Sequence, residues 1–259
     1  MKKKLGFALG AGGSRGVAHV GFLQAMEEAG IKPDFITGCS MGAVVGSVYA
    51  AGMPVPTMKD IFCHLHMRDL LAPTGKRGGL FDTRKMHALF MKYLGDIEFS
   101  SLKTPFACTA VDMITQTLIE LDEGKVAEAV IASATIPAVF KPTVKRGMRL
   151  VDGGVLERVP FPLVKKMGAE VVVCVDALGW RECKRRCPST IGMLFETIDI
   201  MDNYRTKSHR EEGRDIIDFW LEPDLGDCSQ YSLKKLDFMC RKGYELGKEY
   251  AEKIKTAIG

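Results

Sequence analysis

Five residues, Gly38-Cys39-Ser40-Met41-Gly42, constrain this chain more than any others. They follow a short apolar run, Asp34-Phe35-Ile36-Thr37, and open a small-residue segment, Ala43-Val44-Val45-Gly46-Ser47, so the pattern reads strand, sharp turn, helix. A G-x-S-x-G turn of this kind holds the serine in a strained backbone conformation, and the glycines two residues to either side let the chain fold back on itself. Ser40 then stands proud as a candidate nucleophile. With 27 glycines in 259 residues a bare match means little. Its position where a strand signal changes to a helix signal is the context the motif requires.

A second device precedes it. Leu5 to Leu9 is a continuous apolar run ended by glycine, the form of a buried parallel strand. Gly10-Ala11-Gly12-Gly13-Ser14-Arg15-Gly16 follows, and then Val17, Val20, Phe22, Leu23 and Met26 recur at near-helical spacing until Gly30. A glycine loop at a helix N-terminus presents backbone N–H groups with few side chains in the way, which suits an anion or a developing oxyanion. A dinucleotide fingerprint fits poorly, because Arg15 takes the place of its third glycine and Gly38-Cys39-Ser40 stands where an acidic residue belongs. No Lys-Ser or Lys-Thr follows the glycines, so the phosphate-loop signature is absent as well. A purely structural turn is the plain alternative. In a parallel sheet both β-to-α turns fall at the same edge, where ligands bind.

The remaining pattern alternates strands and helices. Helical spacing is expected over 43–52, 56–71, 82–95, 125–133, 160–167, 190–211 and 232–258, and strands over 105–111, 117–121, 142–144, 148–151, 169–177 and 215–221. This predicts one α/β domain over residues 1–259 with a mostly parallel, helix-covered sheet, its motifs within 5–178 and closing helices in 190–259. Residues 56–81 read as an insertion over the sheet edge, serving either as a lid or cap or as ordinary core packing.

A serine hydroxyl needs a proton acceptor. Of five histidines, at 19, 64, 66, 87 and 209, only His209 follows a plausible acid in the hydrolase order Ser, Asp, His, and it sits in the polar stretch Lys207-Ser208-His209-Arg210-Glu211. That failure points to a carboxylate acting directly. Met148 to Val151 delivers Asp152-Gly153-Gly154, a glycine-flanked aspartate that can approach Ser40 without intervening side chains. An ordinary aspartate has a pKa near ~3.9, so either burial raises it or proton transfer is concerted with attack.

Composition narrows the partners. A formal charge of +4 gives no support for nucleic acid, while a mildly basic surface could meet anionic lipid. Met1-Lys2-Lys3-Lys4 precedes an apolar run that stops at Gly10, too short for an export signal, and no run reaches bilayer-spanning length. Eight scattered cysteines then read as reduced thiols of a cytoplasmic protein. Cys183-x-x-x-Cys187 in a basic loop and His64-x-His66 are both weak as metal pairs.

Taken together, Gly10 to Gly16, Gly38 to Gly42 and Asp152-Gly153-Gly154, with Ala132-Ser133-Ala134-Thr135-Ile136-Pro137 before the aspartate, resemble the patatin-like phospholipase family in content and order. The resemblance implies a three-layer α/β/α sandwich, a Ser40–Asp152 dyad without histidine, no metal or other cofactor, and hydrolysis of acyl esters, often lipid, through an acyl-serine. It also implies an oxyanion hole from the backbone of Gly12, Gly13 and Ser14, supported by Gly10, Arg15, Gly16, Gly38, Gly42, Gly153 and Gly154, with Arg15 more structural than ligand-binding. Ala11 stands where many members carry a further glycine, and its N–H survives that change. Two other classes stay open: a regulatory or binding protein that keeps the pocket without turnover, and a nucleotide-binding α/β domain using the glycine loop. Acyl-chain preference and oligomeric state are not encoded in these motifs.

Overall fold

The computed structural model describes residues 2–74, 79–180 and 189–259. In chain order its elements are β1 (Leu5–Leu9), α1 (Ala18–Glu28), β2 (Phe35–Gly38), α2 (Met41–Ala50), α3 (Val55–Cys63), α4 (Met67–Leu70), β3 (Ala72–Pro73), β4 (Phe81–Asp82) and α5 (Arg84–Tyr93). Then come β5 (Phe106–Asp112), β6 (Thr117–Leu121), α6 (Val126–Ser133), β7 (Thr143–Lys145), β8 (Met148–Asp152), α7 (Phe161–Lys166), β9 (Val171–Val175), α8 (Thr190–Glu212), β10 (Phe219–Leu221) and α9 (Leu236–Ile258). Short 3₁₀ turns at Gly13–Val17 and Gly153–Val155 follow the glycine loop and the aspartate.

The central sheet runs β10-β9-β1-β2-β5-β8-β7, with β6 paired to β5. Strands β10, β9, β1, β2 and β5 are parallel, and β6, β8 and β7 are antiparallel to their neighbours. The sheet is therefore mixed, with helices on both faces, the α/β architecture expected.

The period of two along β1 explains the layers. Leu5, Phe7 and Leu9 enter the larger core with residues of α1, α2, α3, α5, α6 and α9. Ala8 faces the other way, into a smaller cluster with Val159, Phe161, Val164, Val172 and Cys174. On that side Gly6 is pressed against α7, since a Cβ there would lie 2.6 Å from Val164.

One feature of β5 positions the site. β2 pairs with Phe106–Cys108 and β8 with Ala110–Asp112, while β6 occupies the opposite edge from Cys108 to Asp112. β2 and β8 thus share one edge of β5 and meet end to end, running in opposite senses, at Thr109. The chain ends that leave this junction are the Ser40 turn and the Asp152 turn.

Three sequence expectations change. The helical pattern over 56–71 breaks in two, because the Asp69 carboxylate takes the backbone N–H of His66 at 3.1 Å and starts a new helix at Met67. The strand expected over 215–221 shrinks to Phe219–Leu221, since the N–H groups of Ile216 and Ile217 donate to Gly213 O in a turn. The last helix starts at Leu236, after a left-handed Lys235 (φ 64°).

Candidate active site

Ser40 is the N-cap of α2 at φ 54°, ψ −123°, a conformation costly for a residue with a side chain. The flanking glycines are required: a Cβ on Gly38 would lie 2.5 Å from Ala43 Cα, and one on Gly42 would lie 2.1 Å from Leu9 O. The backbone N–H of Ser40 donates to Ser133 Oγ at 3.0 Å. Two residues further on, Thr135 O accepts the N–H of Asp152 at 2.9 Å. The end of α6 and the two residues after it therefore fix both turns at once, within the 132–137 segment singled out in the sequence.

Asp152 is buried and its Oδ1 accepts the Gly154 N–H at 2.8 Å, with the Cys39 thiol donating at 3.7 Å. The Ser40 hydroxyl lies near the same carboxylate and favours its charged form. Burial pushes the Asp152 carboxyl up to about 6, against these three neighbours, which favour its charged form. Gly153 lies flat on β5, where a Cβ would be 2.6 Å from Thr109 O. The structure thus brings Ser40, Asp152 and their flanking glycines together.

The glycine loop lies beside them. Gly13 takes φ 51°, and a Cβ on it would meet Gln230 O at 2.4 Å. The Ser14 N–H donates to that same Gln230 O at 3.0 Å, and its hydroxyl donates to Ser229 O. This corrects the expectation of Ser14 as an oxyanion donor: its amide is committed to the 229–230 segment. Among the described residues no backbone acceptor takes the N–H of Gly12, Gly13 or Met41, the last being the first residue of α2.

Arg15 turns inward. Its guanidinium donates to the carbonyls of Ala177, Leu178, Gly226 and Cys228, so it holds the loop to the 177–178 and 226–228 segments. With Arg15 N bonded to Gly12 O and Ser14 N to Gln230 O, few amides remain for a pyrophosphate, and the nucleotide reading loses its main feature. Gly16 admits the Met41 side chain, 2.5 Å from where a Cβ would stand. Gly10 is pinned by Val175 O on its N–H and by buried His19, whose Nε2 donates to Gly10 O at 2.8 Å. Burial lowers the His19 pKa to about 4, which keeps that ring neutral.

Ser40 opens on a cavity of about 500 Å³, well within the range of small-molecule sites. Its walls are almost wholly apolar, with Val44 and Val48 from α2, Phe62 from α3, Met86 and Phe90 from α5, and Phe140 beyond α6. Gly13, Ser14, Gln230 and Tyr231 form the end near the glycine loop. The expected insertion contributes Ile61, Leu65, Leu70, Leu71 and Phe81, so the residues between the two glycine motifs and β5 wall the cavity.

The other candidates fall outside. His209 lies in the last turn of α8 and does not line the cavity. His64 and His66 face Asp60 and Asp69 within their own segments. Among the described residues no group of three His, Cys, Asp or Glu could hold a metal. Cys183 and Cys187 lie outside the described residues. No described helix is long and apolar enough to cross a membrane.

Comparison with known proteins gives the family. The family model for patatin-like phospholipase matches residues 7–165. An uncharacterized NTE family protein of Mycobacterium tuberculosis is 33% identical over 183 residues, 68% of this chain and 49% of the relative. A lysophospholipase nte1 of Aspergillus terreus is 26% identical over 287 residues, 98% of this chain and 18% of the relative. The matches thus span about half of the mycobacterial protein and a smaller part of the fungal one. Among solved structures, VipD from Legionella pneumophila superposes with a TM-score of 0.63 at 13% identity, over 97% of this chain and 67% of that one. ExoU from Pseudomonas aeruginosa, in complex with SpcU, gives 0.54 at 13% identity over 97% and 53%. At such identities these two show a shared fold. With the family model covering both glycine motifs and Asp152, the chain belongs to the patatin-like phospholipase family.

Proposed function

We propose that this protein is a serine hydrolase of lipid acyl esters, phospholipase A-like or lysophospholipase-like, working through a Ser40–Asp152 dyad. The observation that carries the reading is a strained, buried serine beside a buried carboxylate, lining an apolar cavity of about 500 Å³. A fungal relative bears the name lysophospholipase, which agrees with the cavity's chemistry.

In the first half-reaction Asp152 accepts the Ser40 proton as Oγ bonds to the ester carbonyl carbon. The N–H groups of Gly12, Gly13 and Met41 are the donors for the oxyanion, placed by the glycine loop and the start of α2. The C–O bond to the alcohol then breaks, and the alcohol or lysolipid leaves with the proton from Asp152. Water, giving its proton to Asp152, attacks the acyl-serine and releases the fatty acid, with the proton returned to Ser40. The apolar walls hold the acyl chain, and no step needs a metal.

The substrate side has a matching exterior. Met67, Leu80, Tyr93 and Tyr231 line the cavity and are also exposed, and Lys92 stands 4.8 Å over the Tyr93 ring. An apolar collar with a basic flank fits peripheral contact with a lipid surface. The described part of residues 56–81 acts as a wall of the acyl site.

Intact-protein mass after fluorophosphonate treatment tests the core of this reading. A single adduct is expected in wild type, none in Ser40→Ala, and a strongly slowed one in Asp152→Asn, followed by fatty-acid release from phospholipid and lysophospholipid. No adduct on the folded wild type, or full labelling of Ser40→Ala, defeats it.

A further inference from the structure

The family model ends at residue 165, yet α8, which begins at Thr190, reaches back to the turn that carries Asp152. Arg205 on α8 donates from Nη2 to Gly154 O at 2.7 Å and from Nη1 to Val155 O at 2.5 Å. The same guanidinium donates to Asp202 Oδ1 at 2.5 Å. Asp202 Oδ2 in turn accepts Arg158 Nη1 at 2.7 Å, and Arg158 Nη2 donates to Asp176 Oδ2 at 2.7 Å.

Arg158 and Asp176 are almost completely buried, at 4% and 1% side-chain exposure. Such charges are tolerable inside only when paired, and removing one partner is costly. The chain of pairs continues to the glycine loop. Arg158 O accepts the Ala11 N–H at 2.8 Å, and the residues after Asp176, Ala177 and Leu178, offer the carbonyls that hold Arg15. Charge-assisted bonds from Asp202, Arg205, Arg158 and Asp176, continued through the backbone at Arg158 and Ala177–Leu178, therefore tie α8, the base turn and the glycine loop together.

We infer that Asp202 and Arg205 are positioning residues for catalysis: Arg205, held by Asp202, clamps the carbonyls of Gly154 and Val155 and so fixes Gly154, the residue whose N–H orients the Asp152 carboxylate. This rests on the reading of Ser40 and Asp152 as nucleophile and base. Gly153 and Gly154 have no side chains to stiffen the turn; beyond the Leu156 and Glu157 N–H groups on Gly153 O, it is held by two carbonyls on one planar guanidinium. The Gly154 amide bonds Asp152 Oδ1 on one side while its carbonyl is held on the other.

The charged and titratable groups around Asp152 are Asp202 and Arg205 on α8, Glu157 and Arg158 beyond the turn, and Asp176 after β9. Cys39 and Ser40 face it from the β2 end, and α6 contributes the neutral Ser133 and Thr135. Among these the Asp202 charge raises the Asp152 pKa. Asp202→Asn removes that anion and leaves Arg158 and Arg205 less compensated. Both changes favour the Asp152 carboxylate, so the acidic limb of kcat/KM moves to lower pH.

The test compares wild type, Arg205→Ala, Arg205→Lys, Asp202→Asn and the surface control Arg210→Gln on a soluble short-chain ester. Fluorophosphonate labelling rates are followed from pH 4.5 to 9. Arg205→Ala is expected to lose about 10- to 100-fold in kcat with KM little changed, the range for a misplaced catalytic group. Arg205→Lys, which can reach one carbonyl but lacks the fork, falls between, and decides the matter if the alanine variant does not fold. Arg210→Gln behaves as wild type. Folded Arg205 variants with wild-type kcat and labelling rate, or an Asp202→Asn profile that superposes on wild type, overturn the clamp. Absence of labelling in the wild type would overturn the nucleophile assignment instead.

Discussion

Ser133 Oγ accepts the backbone N–H of Ser40 at 3.0 Å, and it does so from the last residue of α6, wholly buried. The strained turn is thereby held by a side chain from another element. In Ser133→Ala that buried amide loses its acceptor, at a cost of about 1–3 kcal/mol. A lower Tm and slower fluorophosphonate labelling of Ser40 are expected together. A variant with wild-type Tm and labelling rate would show that the bond does not hold the turn.

Much of this was legible in the sequence, and for physical reasons. Glycine positions report backbone approach, and Gly38, Gly42, Gly12 and Gly153 each sit where a Cβ would collide. What the sequence conceals is partnership across long separations. Gln230 takes the Ser14 amide from 216 residues away, and Arg205 reaches Gly154 across 51, and neither carries a local pattern. The same limit applies to the end-to-end meeting of β2 and β8 on β5, since pairing register is a property of the folded sheet.

Asp152 gives a pH dependence with a definite sign. Burial raises its pKa from 3.8 to about 6, so the folded state holds this proton more tightly than the unfolded chain. Its contribution to stability is full below 3.8 and lost as pH rises through about 6, a penalty of about 3 kcal/mol at 1.36 per unit. Asp152→Asn is therefore expected to unfold several degrees higher than wild type at pH 8, with little difference at pH 4, while being inactive. The wild-type kcat/KM should fall below about pH 6 as the base is protonated. Equal melting temperatures at pH 8 would contradict the raised value.

Glu157 carries the same sign at a second buried carboxyl. Its Oε1 has no partner among the described residues, and burial raises its pKa from 4.5 to about 7. Stability present below 4.5 is lost as pH rises through about 7. Glu157→Gln should accordingly raise Tm more at pH 8.5 than at pH 5. Thermal melts at the two pH values check the difference, and a gain independent of pH would assign the effect to packing instead.

The cavity wall predicts chain-length selectivity. Leu89 on α5 is half-buried and lines the cavity. Leu89→Trp fills space that a long acyl chain needs and leaves Ser40, Asp152 and the glycine loop untouched. The ratio of kcat/KM for a palmitoyl over a butyryl ester is expected to fall at least about tenfold, a modest figure for several displaced methylenes. A uniform loss on both esters would place Leu89 outside the acyl path.

The collar predicts a separation between soluble and membrane-borne substrate. Leu80 is 68% exposed and Met67 44% exposed, and both line the cavity, so water covers apolar surface at its mouth. Transferring that surface into a lipid interface is favourable in proportion to its area, and a carboxylate in its place reverses the sign, most strongly against anionic lipid. The double variant Leu80→Asp with Met67→Asp should therefore lose co-sedimentation with phosphatidylglycerol vesicles and lose phospholipid hydrolysis. Its turnover of a short soluble ester should stay near wild type, because the dyad and oxyanion donors are unchanged. Loss of both activities in parallel would mean that these residues support the fold of the cavity wall, and retention of vesicle binding would move the lipid-facing surface elsewhere on the molecule.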